Sequence, residues 1–380
     1  MSAHQPVGGK IITRPFMVLS VLFMMAAAIL LARFVLGLGP VTNLNDGYPW
    51  GIWIVIDVMI GTAFGCAGYS VALLVYLLNK GEYHPLVRPA MMAGLFGYGL
   101  AGMAVMIDLG RYWNFWTLLW PGYMQFNSVM LEVALCVMAY IVVLAIEFSP
   151  AFLEQFGLKD IHKKLNKVLF FFIAVGILLP TMHQSSLGTL AVVAGYQISD
   201  LWQTQLLPPL FLISAVLMGY ALVPFESILS SMGLCRPMET PLLAKISYVA
   251  LIVTLIYLAI RVGDLLWRGA FGLAFTGTLD ALMFWIEMAL FIVPVVLLMK
   301  PADRIKSRNI FISATSLLVA GSLYRLNIYI IGYHPLAGGS WSYFPSVTEM
   351  LVTLGIFSLE VMLYLIFVKR LPVLHHAPTA

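Results

Sequence analysis

His183 is the one histidine of seven that falls within a long apolar run. It sits in Leu179-Pro-Thr-Met-His-Gln-Ser-Ser-Leu-Gly188, a polar cluster beside a proline that is expected to close that run. An ionisable group in a membrane span is costly and is read first as a functional site with partners on other helices. Other carboxylates fall within apolar runs: Asp57, Glu132, Glu147, Glu226, Glu287 and Glu360. Glu132 and His183 have no oppositely charged neighbour in sequence, and both titrate when burial shifts them. Asp108 and Arg111 are three residues apart, as are Arg261 and Asp264, so each pair can share a helix face as an ion pair. Such a set serves a haem site, an ion path or a quinone pocket. Haem b held by two histidines needs a pair at one depth. His84 and His334 fall in loops, and His4, His162, His375 and His376 in soluble segments, so the expectation is no haem. Cys66, Cys136 and Cys235 are far apart and form no cluster or zinc pattern, so no iron–sulfur cluster is expected either.

The elements that must position these groups are membrane helices. The chain has 380 residues, 61% hydrophobic and only 10% charged, against roughly 25% charged in a soluble domain. A helix needs about 20 apolar residues to cross the hydrocarbon. Ten runs qualify, approximately 16–37, 50–78, 87–109, 127–148, 166–186, 206–229, 243–263, 280–300, 309–331 and 347–369. They lack barrel-like alternation, so the fold class is an all-α polytopic membrane protein. Lys10 and Arg14 before the first run resemble a signal peptide, but no small-x-small cleavage site follows, and a retained first helix is expected. Of 21 Lys and Arg, only Arg33, Arg111, Arg261, Arg268 and Arg325 fall on the side away from the termini. Both termini are therefore expected in the cytoplasm.

The outer loops are nearly uncharged and aromatic: Tyr48–Trp53, Tyr112–Trp116, Trp120–Tyr123 and Gly338–Phe344. An interfacial belt explains part of this, and an apolar docking surface for a partner subunit the rest. The chain also echoes itself. Asp108-Leu-Gly-Arg111 returns as Arg261-Val-Gly-Asp264, and Leu131-Glu-Val-Ala-Leu135 as Ile286-Glu-Met-Ala-Leu290. This suggests a single domain, 1–380, with two four-helix units at about 50–186 and 206–331 plus the first and last helices.

By helix rise, Asp57, Glu132, Asp108, Arg111 and His183 sort to the outer third. Tyr98, in the glycine-rich Gly94–Gly102, sits near mid-membrane. Glu147 and Glu226 lie at cytoplasmic ends, so Tyr98 can link them to an outer pocket as a proton route; interfacial solvation is the plain alternative for the two end glutamates.

The runs Gly47-Tyr-Pro-Trp-Gly-Ile-Trp53, His84-Pro-Leu-Val-Arg-Pro89, Asp108-Leu-Gly-Arg-Tyr-Trp113, Pro180-Thr-Met-His-Gln-Ser-Ser186 and Met283-Phe-Trp-Ile-Glu287 resemble the NrfD-like quinone-interacting family, and within it the membrane subunits of hydrogenase-2-type nickel–iron hydrogenases. The resemblance runs almost from end to end. It implies ten helices, a menaquinone or ubiquinone site near the periplasmic face and no haem. It also implies a periplasmic ferredoxin-like iron–sulfur subunit on the outer loops, with the nickel–iron small and large subunits beyond it, in the inner membrane. The positions that it links to quinone and proton chemistry match Tyr98, Glu132, His183 and Glu226.

The reading is a quinone oxidoreductase subunit. His183 binds the quinone carbonyls, helped by Asn127, Gln184 or Ser185. Glu132 and Asp57 relay protons supplied through Tyr98 from Glu226 or Glu147. Asp108 and Arg111 flank the pocket. The rivals are a secondary transporter, a pure membrane anchor, and a membrane subunit serving another respiratory reductase.

Overall fold

The computed structural model describes residues 4–336 and 341–374. His375, His376 and Gly338–Ser340 of the last aromatic motif lie outside the described residues. Among the described residues, ten helices are long and apolar enough to span a bilayer. They are α1 Arg14–Leu36, α2 Trp53–Leu77, α3 Val87–Asp108, α4 Val129–Gln155, α5 Lys159–Ala194, α6 Leu207–Gly233, α7 Thr240–Trp267, α8 Leu279–Leu298, α9 Ser307–Ile331 and α10 Val347–Arg370. The protein is an all-helical, multi-pass membrane protein.

Local chemistry sets the ends of these helices. Ser128 and Thr278 accept backbone N–H bonds at the starts of α4 and α8, and Ser346 forms a reciprocal cap with Glu349 at the start of α10. Prolines occupy the first turns of α1, α6 and α7, where their missing N–H costs nothing. The chain leaves α1 and α5 through glycines at positive φ, Gly37 and Gly195.

Helices α2–α5 pack in sequence, as do α6–α9. The two groups meet where α6 lies on α2 and α5 and where α9 reaches α2, while α1 and α10 pair along their length against α3. Glycines permit the close crossing of α2 and α3. A Cβ on Gly97 would stand 3.1 Å from the Gly61 carbonyl and the Gly65 Cα, and one on Gly65 would stand 2.7 Å from the Tyr98 ring. Small residues are what allow backbones to approach this closely in lipid. The N-terminal segment returns to the end of α10 through Val7 N–H to Val368 O and Gly8 N–H to Lys369 O, both 3.1 Å. The described N-terminal segment and the end of α10 thus share one end of the bundle, the basic end.

Two helices depart from the sequence reading. Helix α5 runs to Ala194, so His183 does not close it; the residue lies about three turns inside. Pro180 is accommodated within the helix, and Thr181, Ser185 and Ser186 return their hydroxyls to carbonyls of the preceding turn. Helix α2 is irregular. It begins and ends in wide π-type turns and tightens at Cys66, where ψ is 1°, a kind of distortion frequent at functional sites.

Three of the five arginines assigned above to the outer side are not in loops. Arg33, Arg261 and Arg325 are 1%, 0% and 0% exposed within α1, α7 and α9. The basic asymmetry between the two ends is therefore steeper than loop counting suggests. At the opposite, aromatic end the motifs divide. Trp53 is buried and donates to the Glu349 carbonyl, and the half-buried Trp50 packs edge-on against Tyr329 at 4.9 Å, so this motif is tied into the bundle. Trp113, Trp116, Trp120, Tyr123 and Phe126 stay exposed.

Candidate functional site

The polar centre of the first helical group is built on His183. Its Nδ1 lies 3.1 Å from the Leu179 carbonyl one turn back. A carbonyl only accepts, so Nδ1 carries the proton and Nε2 presents its lone pair. Tyr98 of α3 directs its hydroxyl to Nε2 at 2.9 Å, and the Gln184 amide nitrogen lies 3.1 Å away. Gln184 also donates to Thr62 of α2 at 3.1 Å, and Cys66 Sγ is 3.4 Å from the Tyr98 hydroxyl. Tyr98, His183, Gln184, Thr62 and Cys66 are each fully buried. One turn along α5 from His183, Ser186 donates to Glu132 of α4 at 2.9 Å, and Glu132 itself is exposed on the outer surface of the helices. Two hydrogen-bonded groups thus lie one turn apart on α5, a buried one around His183 and one that ends in an exposed carboxylate at the apolar flank.

Other residues singled out in the sequence lie elsewhere. Asp57 faces α10, where Thr353 donates to it at 3.3 Å. Glu147 is buried against Gly176 of α5, and Glu226 lines a cavity at the basic end with Tyr364 and Ser230. Asn127 is exposed before α4, and Ser185 turns its hydroxyl back to Thr181 and Met182.

The expected helix-face ion pairs do not form. Helix α3 ends at Asp108, which leaves Arg111 in an exposed loop, while Arg33 of α1 donates to the Ile107 and Leu109 carbonyls. Asp264 pairs with Arg268 at 2.9 Å and accepts from Thr204 at 2.8 Å. Arg261 instead points inward over Phe284 and Tyr324, and none of its guanidinium nitrogens has a hydrogen-bond partner among the described residues.

The second helical group holds a related arrangement. Glu287 of α8 accepts from Asn327 of α9 at 2.7 Å and from Trp202 at 2.8 Å. Tyr324 stands three residues before Asn327, as His183 stands three before Ser186. Tyr257 of α7 meets the Tyr324 ring at 5.8 Å, as Tyr98 of α3 meets the His183 ring at 5.2 Å. Gln184 and Arg325, each the residue after the ring, touch across the boundary between the groups at 3.4 Å.

Sequence reasoning missed Thr62, Cys66, Ser186 and Arg325. A hydroxyl or thiol in an apolar helix carries no signal of its own. Arg325 did carry one, as a charge inside a candidate span.

At the aromatic end, Glu349 gathers the Asn43 N–H, the Ser346 N–H and the Tyr343 hydroxyl at 2.8–2.9 Å. Burial first, then the bond to Glu349, hold the Tyr343 phenol above its ordinary value, so it donates. This fastens the loop after α1 onto the start of α10.

The profile of the polysulphide reductase NrfD family matches residues 40–337, most of the chain. The chain belongs to the NrfD family. It is 43% identical over 97% of its length to a "Probable Ni/Fe-hydrogenase 2 b-type cytochrome subunit" of Escherichia coli K12, covering 95% of that protein. It is 32% identical over 40% of its length to the integral membrane subunit of a menaquinone reductase from Nitratidesulfovibrio vulgaris Hildenborough, covering 37% of that subunit. A selenate reductase subunit from Mesobacillus selenatarsenatis is 24% identical over 46% of the chain, with 47% of that protein covered.

The first of these names corrects one expectation. A b-type cytochrome is a haem protein, so the expected absence of haem is overturned. The His183 surroundings do not fit as its ligand set: both ring nitrogens are engaged by Leu179, Tyr98 and Gln184. The other described histidines, His4, His84, His162 and His334, lie at helix ends or outside the spans.

Proposed function

We propose that this chain is the quinone-reactive membrane subunit of a hydrogen:quinone oxidoreductase, exchanging electrons between a partner's iron–sulfur centre and menaquinone or ubiquinone. The observation that carries the reading is the buried Tyr98–His183–Gln184 chain, one turn of α5 from the Ser186–Glu132 bond. It lies in a family whose relatives are named as hydrogenase and menaquinone reductase subunits. The partners are a periplasmic ferredoxin-like iron–sulfur subunit seated on the exposed aromatic loop 112–126, and the nickel–iron small and large subunits beyond it. The basic end faces the cytoplasm and the membrane is the inner membrane, as the charge asymmetry supports. The two helical groups, about 50–186 and 206–331, are repeats of one unit.

A quinone approaching from lipid meets Glu132 first, because that carboxylate is exposed at the flank while His183 is not. Reducing a quinone to a quinol takes two protons as well as two electrons. Glu132 delivers one from the surface. The other passes from the Tyr98 hydroxyl to His183 Nε2, with which it already shares a hydrogen bond, and on to the bound quinone as Tyr98 is reprotonated. Gln184 and Thr62 keep the imidazole in place. Glu226, beside a small cavity of about 60 Å³ at the basic end, and Glu147 supply protons from the cytoplasmic side. Asp57, hydrogen-bonded to α10, stands outside this relay.

Glu132→Gln tests the reading, since glutamine still accepts from Ser186 but carries no exchangeable acid. The assembled complex is expected to keep dye-linked hydrogen oxidation and lose quinone-linked turnover. Full quinone turnover would defeat the relay. A second reading, the membrane subunit of another respiratory reductase, is favoured by the selenate reductase relative. Purification with attached subunits separates the two.

A further inference from the structure

We propose that Arg325 on α9 sets the proton arrangement of His183 on α5, acting across the boundary between the two helical groups by holding the Gln184 amide. The proposal rests on the reading of His183 as a proton-exchanging group, and it names the residue that keeps it in the competent tautomer.

A guanidinium has only donors. The Gln184 atom facing Arg325 Nη2 at 3.4 Å is therefore the carbonyl Oε1. The amide nitrogen must then face the other way, 3.1 Å from Thr62 Oγ1 and 3.1 Å from His183 Nε2. An amide nitrogen only donates, so His183 Nε2 must accept, and the ring proton must sit on Nδ1. Nδ1 in turn faces the Leu179 carbonyl, which accepts and nothing else. Every link from Arg325 to Leu179 has one chemical solution.

The alternative amide orientation sets its NH₂ group against the guanidinium and turns Oε1 towards His183 Nε2. That orientation demands the Nε2–H tautomer, strips Leu179 of its donor and points an N–H at Tyr98, which breaks the exchange between the Tyr98 hydroxyl and the ring. Arg325 is 0% exposed. Its other acceptors are neutral: the Ser214 hydroxyl, Met218 sulfur and Gly321 carbonyl at 3.3 Å and the Phe211 carbonyl at 3.4 Å. In a buried setting a charge opposes the wrong dipole far more strongly than it does in water. Arg325 is thus a positioning residue, and it makes the first group's site depend on the second.

Arg325→Met is near in volume and suits the Phe211 and Met218 surroundings. In the intact complex carrying ¹⁵N-labelled histidine, solid-state NMR separates protonated from lone-pair ring nitrogens. The His183 signals are identified by their loss in His183→Asn. The native complex is expected to show a lone pair at Nε2. Arg325→Met is expected to move His183 towards Nε2–H and to lower quinone-linked turnover at least tenfold with dye-linked activity retained. Arg325→Lys, which still offers only donors, should keep the native tautomer. An unchanged tautomer in Arg325→Met overturns the proposal, even if turnover falls. A shifted tautomer with full quinone turnover upholds it and removes His183 from the quinone chemistry. If Arg325→Met does not assemble, Gln184→Glu decides: its carboxylate pairs with Arg325 and sets an acceptor oxygen against His183 Nε2 where the amide donor stood, so the ring proton should move to Nε2. Persistence of the Nδ1–H form there would sink the idea.

Discussion

At the scale of single residues, the Tyr98 hydroxyl is the group most separable from structure. Its ring packs edge-on against Tyr140 at 4.6 Å and His183 at 5.2 Å, and these contacts survive in phenylalanine. Tyr98→Phe removes only the oxygen that reaches His183 Nε2 and Cys66. A buried hydrogen bond is worth about 1 kcal/mol net, so the thermal midpoint of the complex should barely move. Loss of one proton-transfer partner costs on the order of 100-fold in rate, so quinone-linked hydrogen oxidation should fall by about that much while dye reduction persists. Equal loss in both assays would instead assign Tyr98 a structural role. Charges made much of this site legible in sequence. His183 and Glu132 stand out in apolar runs, and Tyr98 stands out among glycines. Their supports do not, because Thr62, Cys66 and Ser186 are ordinary small residues of a membrane helix until the fold sets them beside a ring nitrogen, a phenol or a carboxylate.

At the scale of the helices, number and order were readable because length and hydropathy alone decide what crosses a bilayer. The end of α5 was not. Pro180 followed by Thr181, Ser185 and Ser186 looks like a helix boundary by soluble-protein rules. In the membrane their hydroxyls bond back into the preceding turn and the helix continues to Ala194. The same view of helices as close-packed rods gives a paired prediction on α2 and α3. A methyl on Gly65 meets the Tyr98 ring at 2.7 Å, whereas one on Gly99 meets nothing within 4 Å. Gly65→Ala must push the ring that carries the site hydroxyl, and overpacking of this kind costs about 1–3 kcal/mol. It should lower the thermal midpoint and depress quinone-linked turnover together. Gly99→Ala should leave both unchanged or raise the midpoint slightly. The contrast is read by thermal inactivation of the two complexes side by side, and equal behaviour would remove the α2–α3 crossing as the element that positions Tyr98.

The molecule as a whole is polarised, with basic side chains, the described N-terminal segment and the end of α10 at one end and a nearly uncharged aromatic face at the other. Loop counting understated this asymmetry because it counted Arg33, Arg261 and Arg325 towards the outer side, when all three are buried among the helices. What remains at the aromatic end is Arg111 and Arg268, and Arg268 is tied to Asp264. The chain carries its own reporter of sidedness. Cys235, in the basic-end connection between α6 and α7, is exposed, whereas Cys66 and Cys136 are buried. With the basic end in the cytoplasm, a membrane-impermeant maleimide should label the native chain in inverted vesicles and leave it unlabelled in intact spheroplasts. Trp120→Cys, on the exposed aromatic loop, should be labelled from the outside of cells that lack the partner subunits. When the partners are present it should be protected, because the proposed iron–sulfur subunit sits on that loop. Labelling of Cys235 in spheroplasts would invert the orientation, and with it the side from which Glu226 draws its protons. Unprotected Trp120→Cys in the assembled complex would move the docking surface off the 112–126 loop while leaving the orientation intact.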